Sequence, residues 1–204
     1  MHPRGIAVRV FLTGVSCVGK TTIGKKLAKL LSVRFFDLDE AIETFFGTSI
    51  ERLQNKFPTT HSFRNEAAKA LIDLMARPDS RDSVVALPPS GLMGGYLRAI
   101  RKSTGIIVAV HDRPENILER ITFYDQDSKP IERVLTRDEK RLYLRQIRKD
   151  ITYFGTTYER AQLKVDIAGM GADGAAHKVK ETLDVFTRGI GRHGTSEQPS
   201  ERRR

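Results

Sequence analysis

The sequence contains a single cysteine, Cys17, among its 204 residues. An internal disulfide and a metal site built from several cysteines are therefore excluded, and one lone thiol is typical of proteins in the reducing cytoplasm. No apolar run approaches the roughly 20 residues that cross a bilayer, and the N-terminus lacks the layout of a signal peptide. We therefore predict a cytoplasmic protein without a membrane segment.

Negative charge is also in short supply, because 35 Lys and Arg residues face only 25 Asp and Glu, a formal net charge of +10. Such a surplus suits a partner with several negative charges, such as a nucleotide or a nucleic acid, although a solvated basic surface gives the same balance. Aromatic residues make up only 7% of the chain, and no cluster suited to base stacking is evident. A nucleic-acid partner is therefore not expected, and we predict a monomer or a weak dimer.

Short apolar runs alternate with segments whose apolar residues recur at helical spacing. The runs predict five buried strands, at residues 6–13, 33–37, 84–87, 105–110 and 163–167. The helical spacing and two capping boxes, at Thr48 and Thr136, predict helices at residues 20–31, from about 49, 67–75, 114–123, 136–154 and 172–186. Strands that alternate with helices pair in parallel, so we predict an α/β fold with a three-layer, doubly wound, five-stranded parallel sheet.

The C-terminal residues 188–204 have almost no apolar side chains and carry several arginines. Such a segment cannot bury enough apolar surface to offset the entropy of ordering. We therefore predict a single domain over residues 1–187, followed by a disordered basic tail.

A glycine-rich loop, Gly14–Thr21, has the pattern G-x-x-x-x-G-K-[ST] and lies between a predicted strand and a predicted helix. Its two glycines let the backbone curl, so that successive N–H groups cradle phosphates beside the positive end of the helix. Lys20 is expected to reach the β- and γ-phosphates of ATP, and the hydroxyl of Thr21 to coordinate Mg²⁺. The predicted nucleotide contacts are Gly14, Ser16, Cys17, Val18, Gly19, Lys20, Thr21 and Thr22.

Two aspartates, Asp37 and Asp39, follow the second predicted strand. Residues two apart on an extended segment point the same way, so both carboxylates are expected in one site beside the glycine loop. Asp37 is the predicted metal ligand, together with Thr21, and Asp39 is predicted to act on an attacking hydroxyl. The alternative is a helix N-cap, for which Asp is favoured.

On Gly14–Thr22, the Asp37-x-Asp39-x-x-Ile42-Glu43 pattern and Phe63-Arg64, the chain resembles the shikimate kinase family. The resemblance implies a P-loop kinase fold with a mobile lid, and it assigns the acceptor hydroxyl to Asp39 and a substrate carboxylate to Arg64. It also points to Arg120 as a residue that packs on the adenine.

Two stretches depart from the pattern of the family. The family has a triple glycine after its third strand, where this chain has Leu87–Gly91, so Ser90 and Gly91 become the candidate substrate contacts. The family also has a second carboxylate-binding arginine on its late helix; here Arg148 and Arg160 lie to either side of that position.

The polar segment 123–137 lies between two predicted helices, as a closing lid should. Lys129, which precedes Pro130, and Arg133 are the predicted catalytic cations of this lid; the alternative for each is an ordinary solvated charge. Asp112, after the fourth predicted strand, is either a metal carboxylate or a helix cap.

Three functional hypotheses remain open at this point. The first is an ATP-dependent kinase that phosphorylates a hydroxyl of a small, carboxylated metabolite, with shikimate as the first candidate acceptor. The second is a ligand sensor on a kinase fold that does not catalyse transfer. The third is a kinase that acts on nucleotide or nucleic-acid hydroxyls.

Overall fold

The computed structural model of the chain describes residues 9–125, 127 and 129–193, without the side chains of residues 190–193. The strands of this part are β1 (Val10–Thr13), β2 (Arg34–Asp37), β3 (Ser83–Ala86), β4 (Ile106–His111), β5 (Phe123–Tyr124), β6 (Pro130–Ile131) and β7 (Leu163–Asp166). Its helices are α1 (Lys20–Leu31), α2 (Leu38–Phe46), α3 (Ile50–Gln54), α4 (Thr60–Ala76), α5 (Gly94–Arg101), α6 (Pro114–Leu118), α7 (Arg137–Tyr158) and α8 (Ala172–His193).

The main sheet has five parallel strands in the order β2-β3-β1-β4-β7, with helices on both faces. All four residues of β1 are buried, as expected for a central strand covered on both faces. The order places β3 between β1 and β2, so the carboxyl ends of these three strands lie side by side. The predicted five-stranded parallel sheet is confirmed, and ligands of such folds bind at this edge.

The first core strand is anchored by a buried cation. Arg9 is only 7% exposed, and its guanidinium donates hydrogen bonds to the main-chain oxygen of Ser80 (2.7 Å), to Ser80 Oγ (3.0 Å) and to the main-chain oxygen of Met75 (3.1 Å). Burial lowers the pKa of this guanidinium. The predicted strand therefore tolerates Arg9 because its donors are satisfied; residues 6–8 of that prediction lie outside the described residues.

Several predicted element boundaries were wrong. The helix that begins at Pro114 ends at Leu118 rather than at 123, because β5 and β6 pair as an antiparallel ribbon that takes up Phe123. The cap of α3 is Ser49 rather than Thr48. The helix α5 is absent from the prediction, and α8 runs to His193 rather than ending at residue 186. Residues 194–204 of the predicted tail lie outside the described residues.

Among the helices that the structure describes, none combines the length and the hydrophobicity that a membrane span requires.

Candidate active site

The glycine loop joins the end of β1 to the start of α1 as predicted. Gly14 and Gly19 have φ angles of 152° and 105°, which favour glycine. A Cβ on Gly14 would lie 2.6 Å from the main-chain oxygen of Val110, so this position also needs the absence of a side chain. The loop thereby wraps around Lys20, whose Nζ donates to the main-chain oxygens of Gly14 and Val15, both at 2.9 Å.

A first cavity of about 520 Å³ opens in front of this loop; we call it the nucleotide cavity. All the predicted nucleotide contacts line it except Gly14, the first residue of the loop, which is buried. The other walls are Asp37 and Asp39, the segment 86–89, and residues of the β5 and β7 ends. Those end residues are Arg120, Thr122, Tyr124, Ile167, Met170 and Ala172.

The electrostatics of the loop centre on Lys20. Desolvation lowers the pKa of its ammonium group to about 8, against the opposing pull of Asp39 and Asp37. An anionic ligand brought beside this ammonium would raise the pKa again, since a nearby negative charge favours the charged form. A bound phosphate would therefore stabilise the charged form of Lys20 in this loop.

The carboxylate of Asp37 lies beside the hydroxyl of Thr21. As the N-cap of α2, Asp37 accepts a hydrogen bond at Oδ1 from the main-chain N–H of Asp39 (3.0 Å), which directs Oδ2 to Thr21 Oγ1 at 2.6 Å. Within the described residues, no group of three or more His, Cys, Asp or Glu side chains could hold a metal. A hydroxyl and one carboxylate nevertheless fit Mg²⁺, which usually keeps several waters and takes further ligands from phosphates.

Asp39 was predicted on an extended segment, and that local conformation is wrong. It lies in the first turn of α2, because Asp37 caps this helix, as the alternative reading had it. Both carboxylates still line the nucleotide cavity. Although the carboxylate of Asp39 opens onto the cavity, the protein around it disfavours its charge. This desolvation and the repulsion from Asp37 raise its pKa to about 6, with Lys20 opposing the shift.

A second cavity, also of about 520 Å³, adjoins the first; we call it the acceptor cavity. The two share four wall residues: Ser16, Asp39, Pro88 and Pro89. Its other wall residues come from α3, the start of α4, the loop after β3, α5 and α7. They are Ile50, Gln54, Thr60, Phe63, Arg64, Ser90, Tyr96, Asp150, Tyr153 and Phe154.

Arg64 is the cation that lines the acceptor cavity. Its Nε is buried and makes no hydrogen bond, and its guanidinium has no ion-pair partner among the residues that the structure describes. An unsatisfied buried donor is costly unless a ligand completes it. The predicted substrate contact is thus positioned to receive an anionic group.

The proline-containing loop after β3 is held from beneath by the end of α7. Tyr158 Oη donates to the main-chain oxygen of Pro89 (3.1 Å), and Arg160 donates to that of Leu92 (2.8 Å). Ser90 lines the acceptor cavity, whereas Gly91 is buried and lines neither cavity. A Cβ on Gly91 would lie 2.6 Å from Leu87 Cβ, so this glycine permits the tight turn.

The two predicted lid cations line neither cavity in this structure. Lys129 lies at the ribbon of β5 and β6, where its main-chain N–H donates to Asp125 Oδ1 (2.9 Å). Arg133 forms an ion pair with Glu139 and lies over the ring of Phe123 at 5.2 Å. The structure does not bring them to the glycine loop.

On the wall of the nucleotide cavity, Arg120 is held in place by Asp112. The side chain of Asp112 is fully buried, and its Oδ2 accepts from Arg120 at 2.6 Å. Its Oδ1 accepts from Asn116 Nδ2 (2.7 Å) and from the main-chain N–H groups of Arg113 (2.7 Å) and Gly169 (3.0 Å). Asp112 therefore positions Arg120, and its oxygens are occupied by protein donors rather than free for a metal.

Sequence reasoning missed part of both walls. Ile167 and Met170 follow the last strand, and ligands of such folds bind beyond the carboxyl ends of the strands. Their side chains are apolar, however, so nothing in the sequence marked them as contacts. Asp150 is a lone acid after a run of cations and was read as part of a basic helix. Tyr153 and Phe154 lie at i+3 and i+4 from Asp150, a spacing that places all three on one helix face.

The family model for shikimate kinase matches residues 16–178 of this chain. The chain belongs to the shikimate kinase family. The shikimate kinase of Thermoanaerobacter pseudethanolicus is 30% identical over 174 residues, which cover 83% of this chain and 92% of that relative.

Two solved structures share the fold. A shikimate kinase from Bacteroides thetaiotaomicron superposes with a TM-score of 0.71 at 23% identity, covering 87% of this chain and 98% of that one. A shikimate kinase from Acinetobacter baumannii in complex with shikimate superposes with a TM-score of 0.64 at 23% identity, covering 90% of this chain and 96% of that one. As a family member, this chain is a small-molecule kinase that phosphorylates its acceptor with ATP.

Proposed function

We propose that this kinase transfers the γ-phosphoryl group of ATP, with Mg²⁺, to a hydroxyl of a small, carboxylated metabolite, and that shikimate is its first candidate acceptor. One observation carries the proposal: two cavities of similar size meet at Asp39, one lined by the glycine loop and the other by an unpaired arginine. Donor and acceptor can therefore bind side by side with a carboxylate between them.

The glycine loop and Lys20 hold the β- and γ-phosphates, with Ser16, Cys17, Val18, Gly19 and Thr22 as the neighbouring contacts. Thr21 and Asp37 hold Mg²⁺, which supplies neutralisation of the phosphate charge when bound. Asp39 hydrogen-bonds the acceptor hydroxyl and takes up its proton. Since its pKa is about 6, Asp39 is ionised at neutral pH yet basic enough for this role.

Arg64 holds the acceptor carboxylate, because a guanidinium offers two parallel donors to such a group. Ser90 supplies a hydroxyl on the opposite loop, and Gly91 acts only through the turn. Arg120 packs on the adenine.

The lid at residues 123–137 closes over the phosphates and brings Lys129 and Arg133 to them. The ion pair between Arg133 and Glu139 must then open, so closure exchanges one anionic partner for another. We further propose that residues 1–187 form the catalytic unit, that it works as a monomer or weak dimer, and that it acts in the cytoplasm.

The direct test couples ADP release to a spectroscopic readout for shikimate and a panel of other hydroxy acids. We expect turnover with at least one acceptor, which requires Mg²⁺ and stops on addition of EDTA. If no member of the panel stimulates ATP consumption, the proposed reaction is wrong.

One observation favours the sensor hypothesis as a second candidate. The prolines at 88 and 89 have no N–H, and the main-chain oxygens of both are already bonded within the protein, so this loop offers the acceptor little. A sensor would bind ADP and acceptor tightly without turnover. The geometry of Thr21, Asp37 and Asp39 favours the kinase, because a sensor needs neither a pair of metal ligands nor a catalytic base.

A further inference from the structure

The acceptor cavity contains a carboxylate that the proposed reaction does not use. Asp150, on α7, lines this cavity together with Asp39 and Arg64. Among the residues that the structure describes, the charged ones on its wall are thus two acids and one cation. A site built only to hold an anionic acceptor would have the opposite balance, since like charges repel.

The contacts of Asp150 leave it available to a ligand. Its Oδ1 accepts a hydrogen bond from Gln146 Nε2 at 2.9 Å, and it forms no ion pair with the part of the chain that the structure describes. Gln146 lies one turn earlier on the same helix, so this bond orients the carboxylate without neutralising it. The second oxygen can accept a hydrogen bond from a ligand.

Two nearby cations, Arg148 on α7 and Arg160 just after it, are engaged elsewhere. Arg148 forms an ion pair with Glu115 on α6 at 2.9 Å, and Arg160 supports the loop at Leu92. The face that α7 turns to the cavity is therefore Asp150 with Tyr153 and Phe154. An acid beside aromatic rings suits a ring compound that has hydroxyl groups at its edge and C–H groups on its face.

We propose that Asp150 is a specificity residue that accepts a hydrogen bond from a second donor group of the acceptor, a hydroxyl or an ammonium, besides the hydroxyl that faces Asp39. The inference rests on the proposed function and narrows its substrate class. The acceptor is a polyhydroxylated or amino-hydroxylated ring with a single anionic substituent for Arg64. Acceptors with two anionic groups are disfavoured by the two carboxylates.

The test compares Asp150→Ala and Asp150→Asn with Asp138→Asn, a matched control on the same helix whose side chain is 91% exposed. The acceptors are shikimate, its deoxy analogues that lack one hydroxyl, and its analogues with an amine in place of one hydroxyl. Since a hydrogen bond to a charged group contributes about 1.5–3 kcal/mol, Asp150→Ala should raise the acceptor KM about 10-fold to 100-fold. The KM for ATP should stay unchanged.

The variants and analogues together identify the donor group. One deoxy analogue should bind the wild type as weakly as shikimate binds Asp150→Ala. For that analogue, Asp150→Ala should cause no further loss of affinity. Asp150→Asn keeps an acceptor oxygen, so it should preserve most of the affinity for a hydroxyl but lose that for an ammonium.

A second measurement separates this inference from the proposed reaction. Binding of each compound is followed by thermal shift with ADP and Mg²⁺ present, since a ligand of the folded state raises its melting temperature. If Asp150→Ala binds the compound more weakly than the wild type does, and the wild type shows no turnover, the proposed reaction is wrong but the binding role of Asp150 is supported. An acceptor KM and thermal shift equal to those of Asp138→Asn, or the absence of any binding to the wild type, would overturn the role of Asp150.

Discussion

The nucleotide and acceptor cavities are equal in size but differ in how they are built. The first takes most of its polar wall from one contiguous segment, Ser16–Ile23, with the two aspartates beside it. The second collects single side chains from α3, α4, α5, α7 and the loop after β3. Main-chain N–H groups of such a loop can hold phosphate whatever the side chains are, whereas the acceptor cavity depends on side chains that several elements bring together. The nucleotide half can therefore stay close to a family pattern while the acceptor half diverges.

The largest effect should come from the nucleotide half. Lys20→Met removes the ammonium that we propose holds the β- and γ-phosphates, and we expect kcat to fall about 10²-fold to 10³-fold. Lys29→Met, in the last turn of the same helix, is the control and should retain activity. If Lys20→Met weakened acceptor binding instead of turnover, the division between the two cavities would be wrong.

Asp39 lies on the boundary, so its substitution tests both halves. Asp39→Asn removes the proposed base and should lower kcat about 10²-fold, while the affinity for ADP, measured by titration calorimetry, is retained. In the wild type, kcat/KM should fall as the pH is lowered through about 6, the pKa of Asp39. A profile that is flat between pH 5 and 8 would contradict its role as the base.

The same substitution has a second, structural readout. Because the folded state raises the pKa of Asp39 from 3.8 to about 6, it binds the proton more tightly than the unfolded chain does. Stability is therefore lost as the pH rises through this range. Asp39→Asn should melt at a higher temperature than the wild type at pH 7, and the difference should vanish below about pH 4. The sign of this change distinguishes a functional residue from one kept for stability.

The effect of Arg64 should be confined to the acceptor half. Arg64→Met should raise the KM for a carboxylated acceptor by about 10-fold or more, as expected for a lost hydrogen bond to a charged group, with the KM for ATP unchanged. Arg64→Lys should recover only part of the affinity, because the ammonium lacks the planar fork. Arg101→Met, at the end of α5, serves as the control. An equal loss with an acceptor that has no carboxylate would contradict the assignment.

The smallest effect should come from the support of the proline loop. Tyr158→Phe removes the hydrogen bond to Pro89 and should lower the free energy of unfolding by about 1 kcal/mol, measured by urea denaturation. Tyr143→Phe, on the same helix, should leave stability unchanged. A rise in the KM for the acceptor larger than for ATP would place the loop in the acceptor half.

The parts of the fold that the sequence predicted are those with a local signal. The five strands are short apolar runs, and the glycine loop is a contiguous motif between a strand and a helix. The helix α5 was missed because it begins with Gly94 and Gly95, which normally break helices. The structure gives the reason for the second glycine: a Cβ on Gly95 would lie 2.8 Å from Ala68 Cβ, so close packing of α4 against α5 outweighs helix propensity.

The acceptor site was harder to predict because its residues come from distant parts of the chain. Arg64 was found only through a resemblance, and Asp150 was hidden in a run of cations, since sequence does not show which face of a helix meets a cavity. The hydrogen-bond partner of Arg160 also depends on tertiary structure. Its guanidinium supports a loop oxygen, a contact 68 residues away along the chain.

The wall shared by the two cavities has a consequence for inhibitor design. Both cavities are bordered by Ser16, Asp39, Pro88 and Pro89, so the proposed sites for the adenosine polyphosphate and for the hydroxylated ring adjoin each other. A compound that tethers the two through a short linker would make its second contact at an effective concentration in the millimolar range. Its selectivity among related kinases would come from the ring, while the polyphosphate supplied affinity common to all of them.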